Sequence, residues 1–413
     1  MPDRRVAPPL QHTLHFQLPQ PEHFLEKEGL NGWLIASDLQ PVVRIEVYFH
    51  AGKITEKQEA ISNFTAMMLE KGTRHHTAEQ IAAHLDYYSA HLEISPGMDM
   101  ASVGIYSLSR NLKHVLPLYL ELIQEPSFDD DELRLTKEIF AQNLKVNQEK
   151  NSYLAGQAIR GLVFGDHPYG TTVMEKDIES ISGPHLQEFF KVHYQPFAVF
   201  VAGSITQEDL RTLSEGLPTG TLINATPSVP SILKGEQRIE KNDAVQCSIR
   251  MGKSGLVRTD PDFPVFLLTN HILGGYFGSR LMKNIREEKG LTYGIYSSIQ
   301  HMQQAVLQTI GADVNKENLD TALSAIREEL LNLGNLSTEE MNTARKHFIG
   351  SMQNDVNTIF AAADKLKTIN LNHLPSDFYQ SIIHRIDVLT TADIKKAAEK
   401  YFQPQDFSIA VAG

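Results

Sequence analysis

Ile178–Pro196 reads IESISGPHLQEFFKVHYQP, Ile386–Pro404 reads IDVLTTADIKKAAEKYFQP, and this pair of stretches decides the fold. Ile178 matches Ile386, Leu186 matches Ile394 and Pro196 matches Pro404, each 208 positions later. Both stretches then enter a short apolar strand ending in Ala-Gly, FAVFVAG at Phe197–Gly203 and FSIAVAG at Phe407–Gly413. The register holds further out. Phe128-Asp129-Asp130-Asp131-Glu132-Leu133 lies opposite Leu336-Ser337-Thr338-Glu339-Glu340-Met341, and Phe140 opposite Phe348. Asn111-Leu112 falls opposite Asn318-Leu319 with an offset of 207. A fixed offset near half the length means two copies of one domain, not a solenoid of short repeats. Leu217–Ile232 (LPTGTLINATPSVPSI) is rich in Pro, Thr and Ser, lacks apolar periodicity, and reads as the linker. The expected division is therefore 1–216, a linker over 217–232, and 233–413.

Each copy mixes strands and helices. Val43, Ile45, Val47 and Phe49 alternate with Arg44, Glu46, Tyr48 and His50, and Val245, Cys247, Ile249 and Met251 alternate in the same way. A period of two marks a half-buried strand, hence a sheet with one packed face. Leu319, Leu323, Ile326 and Leu330 fall at helical spacing, and Ser337 with Glu340 reads as a capping box opening the next helix. The acidic run Asp129–Glu132 reads as a helix start favoured by the helix dipole, not as a metal site. The fold class is α+β: two homologous αβ domains in tandem, each with a sheet covered on one face by helices.

With 413 residues, 41% of them hydrophobic, the chain has the length for two cores and an ordinary globular composition. Its 38 Lys+Arg against 50 Asp+Glu leave a net charge of −12, which argues against nucleic acid or anionic lipid as the main partner. Cys247, the lone cysteine, excludes an internal disulfide and every cysteine-based metal site. No apolar run approaches the roughly 18 residues that span a bilayer. The start, MPDRRVAPPLQHTLHF, carries two arginines with no apolar stretch after them, so no secretory leader is read and the expected compartment is the cytoplasm.

The chemistry is thin for a chain of this size. Among 17 histidines there is neither H-x-x-E-H nor H-E-x-x-H. His76-Thr77-Ala78-Glu79-Gln80 lacks the second histidine and reads as a turn and helix start; His167 sits in turn chemistry; Cys247 alternates as an inward strand residue. One segment is dense: LGGYFGSRLMKNIREEKGLTYGIYSS over Leu273–Ser298. It reads as a glycine turn, a helix over about Ser279–Glu288, a Gly290 stop in the C′ position, and a strand from about Leu291. Arg286 on the last turn and Tyr293 on the strand are then placed to face one space. The plainer alternative has Arg286 merely complementing the helix C-terminus.

Leu273–Ser298 resembles the C-terminal signature of the M16 peptidases, the pitrilysin or inverzincin family that includes mitochondrial processing peptidase, in which "SRL…IRE..GL.Y" recurs. The doubled αβ domain and Pro168-Tyr169-Gly170 fit the same family. The resemblance implies half of a clam-shell. In active members one half holds zinc on an H-x-x-E-H helix, and the opposite half supplies an arginine and a tyrosine at the spacing of Arg286 and Tyr293.

The departure matters equally. The family's zinc helix lies between an Ala-Gly strand end and a Lys-Gly-Thr turn, which are here Ala51-Gly52 and Lys71-Gly72-Thr73. Between them stands Asn63-Phe64-Thr65-Ala66-Met67. By resemblance Asn63 and Met67 occupy the two histidine positions, Ala66 that of the general-base glutamate, and Asn143 that of the remaining glutamate ligand. Histidines at i and i+4 share one helix face and can hold one zinc, with the glutamate activating its water. An amide, a methyl, a thioether and a second amide cannot replace them. The resemblance thus implies no zinc or other cofactor in this chain. It implies a non-catalytic subunit that pairs with a zinc-carrying H-x-x-E-H partner to complete a peptide-hydrolysing site; the acidic charge and the lack of a spanning run leave no nucleic acid or membrane among the expected partners. The competing expectation is a pseudoenzyme scaffold or peptide-binding protein outside proteolysis.

Overall fold

The computed structural model describes residues 16–219 and 228–413. Residues 1–15 of the expected first domain and 220–227 of the expected linker lie outside the described residues. In the first half, β1 (Glu22–Lys27), β2 (Leu30–Ala36) and β3 (Val42–Phe49) lead to α1 (Ile61–Met68) and α2 (Ala78–Tyr87). Then come β4 (His91–Pro96), β5 (Ala101–Leu108), α3 (Leu112–Leu122), α4 (Asp130–Gln148) and α5 (Asn151–Phe164). The half closes with α6 (Glu175–Ser180), α7 (Gly183–His193), β6 (Pro196–Gly203) and α8 (Gln207–Gly216).

The second half runs through β7 (Glu236–Ile239), β8 (Gln246–Ser254) and α9 (Phe263–Gly274), then a π-helical segment over Met282–Glu288. β9 (Thr292–His301), β10 (Val306–Asn315), α10 (Leu319–Asn332) and α11 (Thr338–Asn354) follow. The described chain ends with α12 (Ile359–Leu371), α13 (Phe378–Asp387), α14 (Thr391–Tyr401) and β11 (Ser408–Ala412).

The sheet orders carry the repeat. The first sheet runs β1-β2-β6-β3-β5-β4 and the second β7-β11-β8-β10-β9. With β1 set aside, both place the first strand, the last, the second, the fourth and the third side by side. The β2/β6 and β7/β11 pairs are parallel and the rest antiparallel, so the pattern of hydrogen bonding is duplicated too. Each sheet has its own apolar core, with Val43, Ile45 and Val47 in the first and Cys247, Ile249 and Met251 in the second.

The local signals hold with one adjustment. Asp129 caps α4, its carboxylate accepting from the backbone N–H of Asp131 and Glu132 at 2.9 and 3.1 Å. Ser337 Oγ accepts from Glu340 N–H at 3.1 Å, but the Glu340 carboxylate binds Arg280 rather than returning to the cap, so only half of the expected box forms. His76 precedes the capping box of Thr77 and Gln80 at the start of α2 and places Nδ1 3.0 Å from Glu121.

The expectation of sheets covered on a single face is corrected. α5 crosses to the second sheet and packs on β7, β8 and β11, while its repeat counterpart α12 crosses back and packs on the first sheet against β6. Arg44, Glu46 and Tyr48, read from alternation as the open face of β3, are roofed by α12. Arg44 Nη2 lies 2.8 Å from Asp364 Oδ1, and Lys367 Nζ lies 2.6 Å from Glu46 Oε2. Polar residues alternate on this face because they have charged partners from the other half, not because they face water.

Candidate functional site

Gly290 has φ of 63°, the left-handed conformation that suits glycine at a helix end, and it turns the chain from the π segment into β9. The segment before it is wider than the expected α-helix. Lys289 N–H donates to Asn284 O at 2.9 Å, a bond spanning five residues, and Leu291 N–H donates to Ile285 O at 3.0 Å. Such π turns displace the following side chains around the helix axis and recur at functional sites.

β9 begins with a second irregularity. Thr292 pairs with Val314 and Ile295 with Ala312, so Tyr293 and Gly294 together oppose Asp313. This is a β-bulge, a device that re-aims a side chain next to a binding region. Thr292 Oγ1 pins it by donating to Asp313 O at 2.7 Å and accepting from Gly294 N–H at 3.2 Å. The bulge leaves the Tyr293 side chain 93% exposed.

Arg286 and Tyr293 line one open cleft of about 620 Å³, together with Gln246, Glu287, Thr292 and Asp313. Among the described residues Arg286 forms no ion pair. Its guanidinium lies over the ring of Phe277, 4.7 Å from the centroid. Arg280, six residues earlier, differs: Nε and Nη2 bind Glu340 at 2.7 and 2.9 Å, and two more bonds go to Asn332 O and Asn335 O. One arginine is spent on structure. The other has no hydrogen-bond or ion-pair partner among the described residues. The role of Phe277 was not legible from its residue type, since an aromatic in a glycine turn announces nothing until the π segment brings Arg286 over it.

The other expected positions lie elsewhere and take no part in this cleft. Asn63, Ala66 and Met67 are on α1, and Asn143 is on α4, which packs against α1 through Phe64 and Phe140 at 4.9 Å between ring centroids. Ala66 is fully buried, Asn63 and Met67 are half-buried, and Asn143 is exposed. The N-terminus of α1 is closed by Glu56, whose Oε1 accepts from Ser62 N–H at 2.8 Å. Burial pushes the Glu56 carboxyl up to about 7, with the Ser62 bonds acting against the rise. Among the described residues no group of three or more His, Cys, Asp or Glu side chains is placed to hold a metal ion. Two amides, a thioether and a methyl do not fit zinc.

Two family models match in succession: "Insulinase (Peptidase family M16)" over residues 33–177 and "Peptidase M16 inactive domain" over 180–348. The chain belongs to the M16 peptidase family. The "Uncharacterized zinc protease YmxG" of Bacillus subtilis is 22% identical over 399 residues, covering 92% of this chain and 96% of that protein. The "Non-peptidase homolog YmxG" of Helicobacter pylori is 23% identical, covering 90% of this chain and 89% of that one. Among solved structures, a peptidase M16 inactive domain from Pseudomonas fluorescens superposes with a TM-score of 0.86 at 24% identity, covering 95% of this chain and 98% of that one. A protease from Helicobacter pylori gives 0.83 at 17% identity, covering 96% and 100%. These M16 relatives carry both protease and non-peptidase names, so the family alone does not decide catalysis. The join between the two family models precedes β6, which nevertheless pairs with β2 and β3 of the first sheet.

Proposed function

We propose that this M16 chain is the non-catalytic subunit of a two-chain zinc peptidase, lending Arg286 and Tyr293 to an active site whose metal sits on the H-x-x-E-H helix of its partner. One observation carries the reading. Arg286 and Tyr293 share an open cleft with their donors unspent, in a chain whose zinc positions hold Asn63, Ala66, Met67 and Asn143. A scaffold has no need of a bulge that turns a tyrosine into solvent beside an unpaired arginine.

The partner's zinc supplies the activated water. On this chain, the Tyr293 phenol donates a hydrogen bond to the oxyanion that develops as the peptide carbonyl is attacked. The Arg286 fork binds substrate carbonyl oxygens or a peptide carboxylate. The substrate class is a peptide.

The test is the native assembly. The chain should co-purify with an H-x-x-E-H M16 protein, and elemental analysis should place zinc in that partner alone. In the assembled enzyme Tyr293→Phe should lower kcat by roughly 10²–10³, the usual loss for one oxyanion donor. Arg286→Ala should act mainly through KM if the arginine holds ground state and transition state alike. Stoichiometric zinc on the isolated chain would end this reading. Full activity of the double variant would leave the chain a scaffold.

A further inference from the structure

We infer that Phe277 is a positioning residue for Arg286, holding its guanidinium toward the cleft while leaving its N–H donors free for peptide. The inference rests on the proposed role of Arg286 and adds a residue that role does not name. A long, flexible arginine side chain gives up much rotamer freedom when it is fixed. A carboxylate partner can fix it, but only by consuming the donors that a ligand would need. Arg280 shows that outcome in the same stretch of chain, bound to Glu340 and two carbonyls. An aromatic face fixes a guanidinium differently: the ring quadrupole attracts the cation through its flat side, and the N–H groups at its edge stay free.

The geometry matches this second solution. The Arg286 guanidinium carbon is 4.7 Å from the Phe277 ring centroid. Phe277 is 62% exposed, and its ring lies beneath the guanidinium of the cleft-lining arginine. The platform is itself held in place. Its neighbour Tyr276 stacks on His271 at 4.7 Å and 10°, and lies 4.6 Å from His347. Gly275 N–H donates to His271 O at 3.0 Å and Ser279 N–H to Tyr276 O at 3.1 Å, so the turn is bonded on both sides of the ring. The π segment then sets the angle at which Arg286 leaves the backbone, over a ring nine residues earlier.

Two measurements test this. In the full chain labelled with nitrogen-15 arginine, the Arg286 Nε–H resonance, assigned by its loss in Arg286→Lys, should carry the ring-current shift of Phe277. Phe277→Leu should move it to the position of a free arginine, and Phe277→Tyr should keep it shifted. In the complex with the H-x-x-E-H partner, acting on a quenched fluorescent peptide, Phe277→Leu should raise KM roughly two- to fivefold, the range of an exposed cation–π contact, with kcat little changed. Phe277→Tyr should restore the wild-type KM, and Phe277→Leu should add nothing in an Arg286→Ala background.

The outcomes separate the two claims. If Arg286→Ala leaves peptide kinetics intact, the proposed role of the arginine falls and this inference with it. If Arg286→Ala is impaired while Phe277→Leu is not, or if the two losses simply multiply, only the assignment of Phe277 is overturned.

Discussion

α5 and α12 occupy the same place in the two copies of the domain, each crossing to the other copy's sheet, yet the surfaces they bury have opposite chemistry. Ile159 on α5 and Lys367 on α12 are 208 residues apart, the repeat offset itself. Ile159 is buried over Gly252 of β8, among Val163, Phe164, Leu307 and Ala410. Lys367 is buried over Glu46 of β3, in a cluster with Arg44 and Asp364. Burial works against the Arg44 charge, and Glu46, Tyr106 and Asp364 outweigh it, so its pKa is raised. One backbone solution therefore tolerates an apolar seam and a charged seam. What it requires is that each seam be complementary within itself.

The charged seam should break hardest. Lys367→Ala removes a cation whose side chain is only 10% exposed and leaves Glu46, at 13%, with Arg44 and the Tyr48 hydroxyl as its remaining partners. Removing one member of a buried pair costs about 3–5 kcal/mol, and the surviving Arg44 contact puts this variant at the lower end, near 3 kcal/mol by chemical denaturation. Lys367→Met with Glu46→Leu should recover only part of that loss, because apolar groups can replace the buried Lys367–Glu46 pair but Arg44 then keeps Asp364 as its one anionic partner. A loss below about 1 kcal/mol in Lys367→Ala would mean that the seam is screened like a surface pair, and the contrast with α5 would dissolve.

The apolar seam should respond to volume instead. A Cβ on Gly252 would lie 2.5 Å from Ile159 Cγ1, so Gly252→Ala overpacks the contact and should cost about 2 kcal/mol. Ile159→Ala alone leaves a cavity, but the double variant should be more stable than the sum of the two losses predicts, since each change relieves the other. Strict additivity in a double-mutant cycle would show that α5 is not seated on β8 as described.

The seams also show what was legible in the residues. Alternation along Val43–Phe49 revealed the strand and its core face, and the 208-residue register revealed the duplication. The roof on the other face was not legible, because Glu46 and Lys367 are 321 positions apart and alternation looks the same whether polar residues meet water or a distant helix. At the cleft, the spacing of Arg286 and Tyr293 and the Gly290 stop were readable, Gly290 because only its backbone conformation is at stake. The π turn and the bulge at Tyr293 were not. Each is one extra residue in a regular pattern, set by packing and by Thr292 rather than by propensity.

The smallest effect is expected where the apolar seam has a polar tie. Tyr169 is buried beside Phe164, and its hydroxyl donates to Asp99 Oδ1 and accepts from Gln304 N–H at 3.3 Å. Asp99 Oδ2 accepts from Gln303 N–H at 3.0 Å, so this carboxylate joins the β4–β5 turn to the β9–β10 turn of the other half. Burial raises the Asp99 pKa, and the Tyr169 and Gln303 bonds act against the rise. A carboxyl whose folded pKa is raised favours folding below its unfolded pKa and loses that contribution as pH climbs through the folded value. Tyr169→Phe removes one bond that holds the charged form and raises the folded pKa further. The variant should therefore lose about 1.5 kcal/mol at pH 7, the lower end for a hydrogen bond to a charged group, and less near pH 4, where the carboxyl is increasingly protonated in both states. Asp99→Asn, which carries no charge to desolvate, should flatten this pH dependence in the Tyr169→Phe background. Denaturation curves at pH 4 and pH 7 decide it: a deficit equal at both, or larger at pH 4, would mean that the phenol stabilises the seam by packing alone, and the two exchanged helices would then differ even more sharply in chemistry than their twin positions suggest.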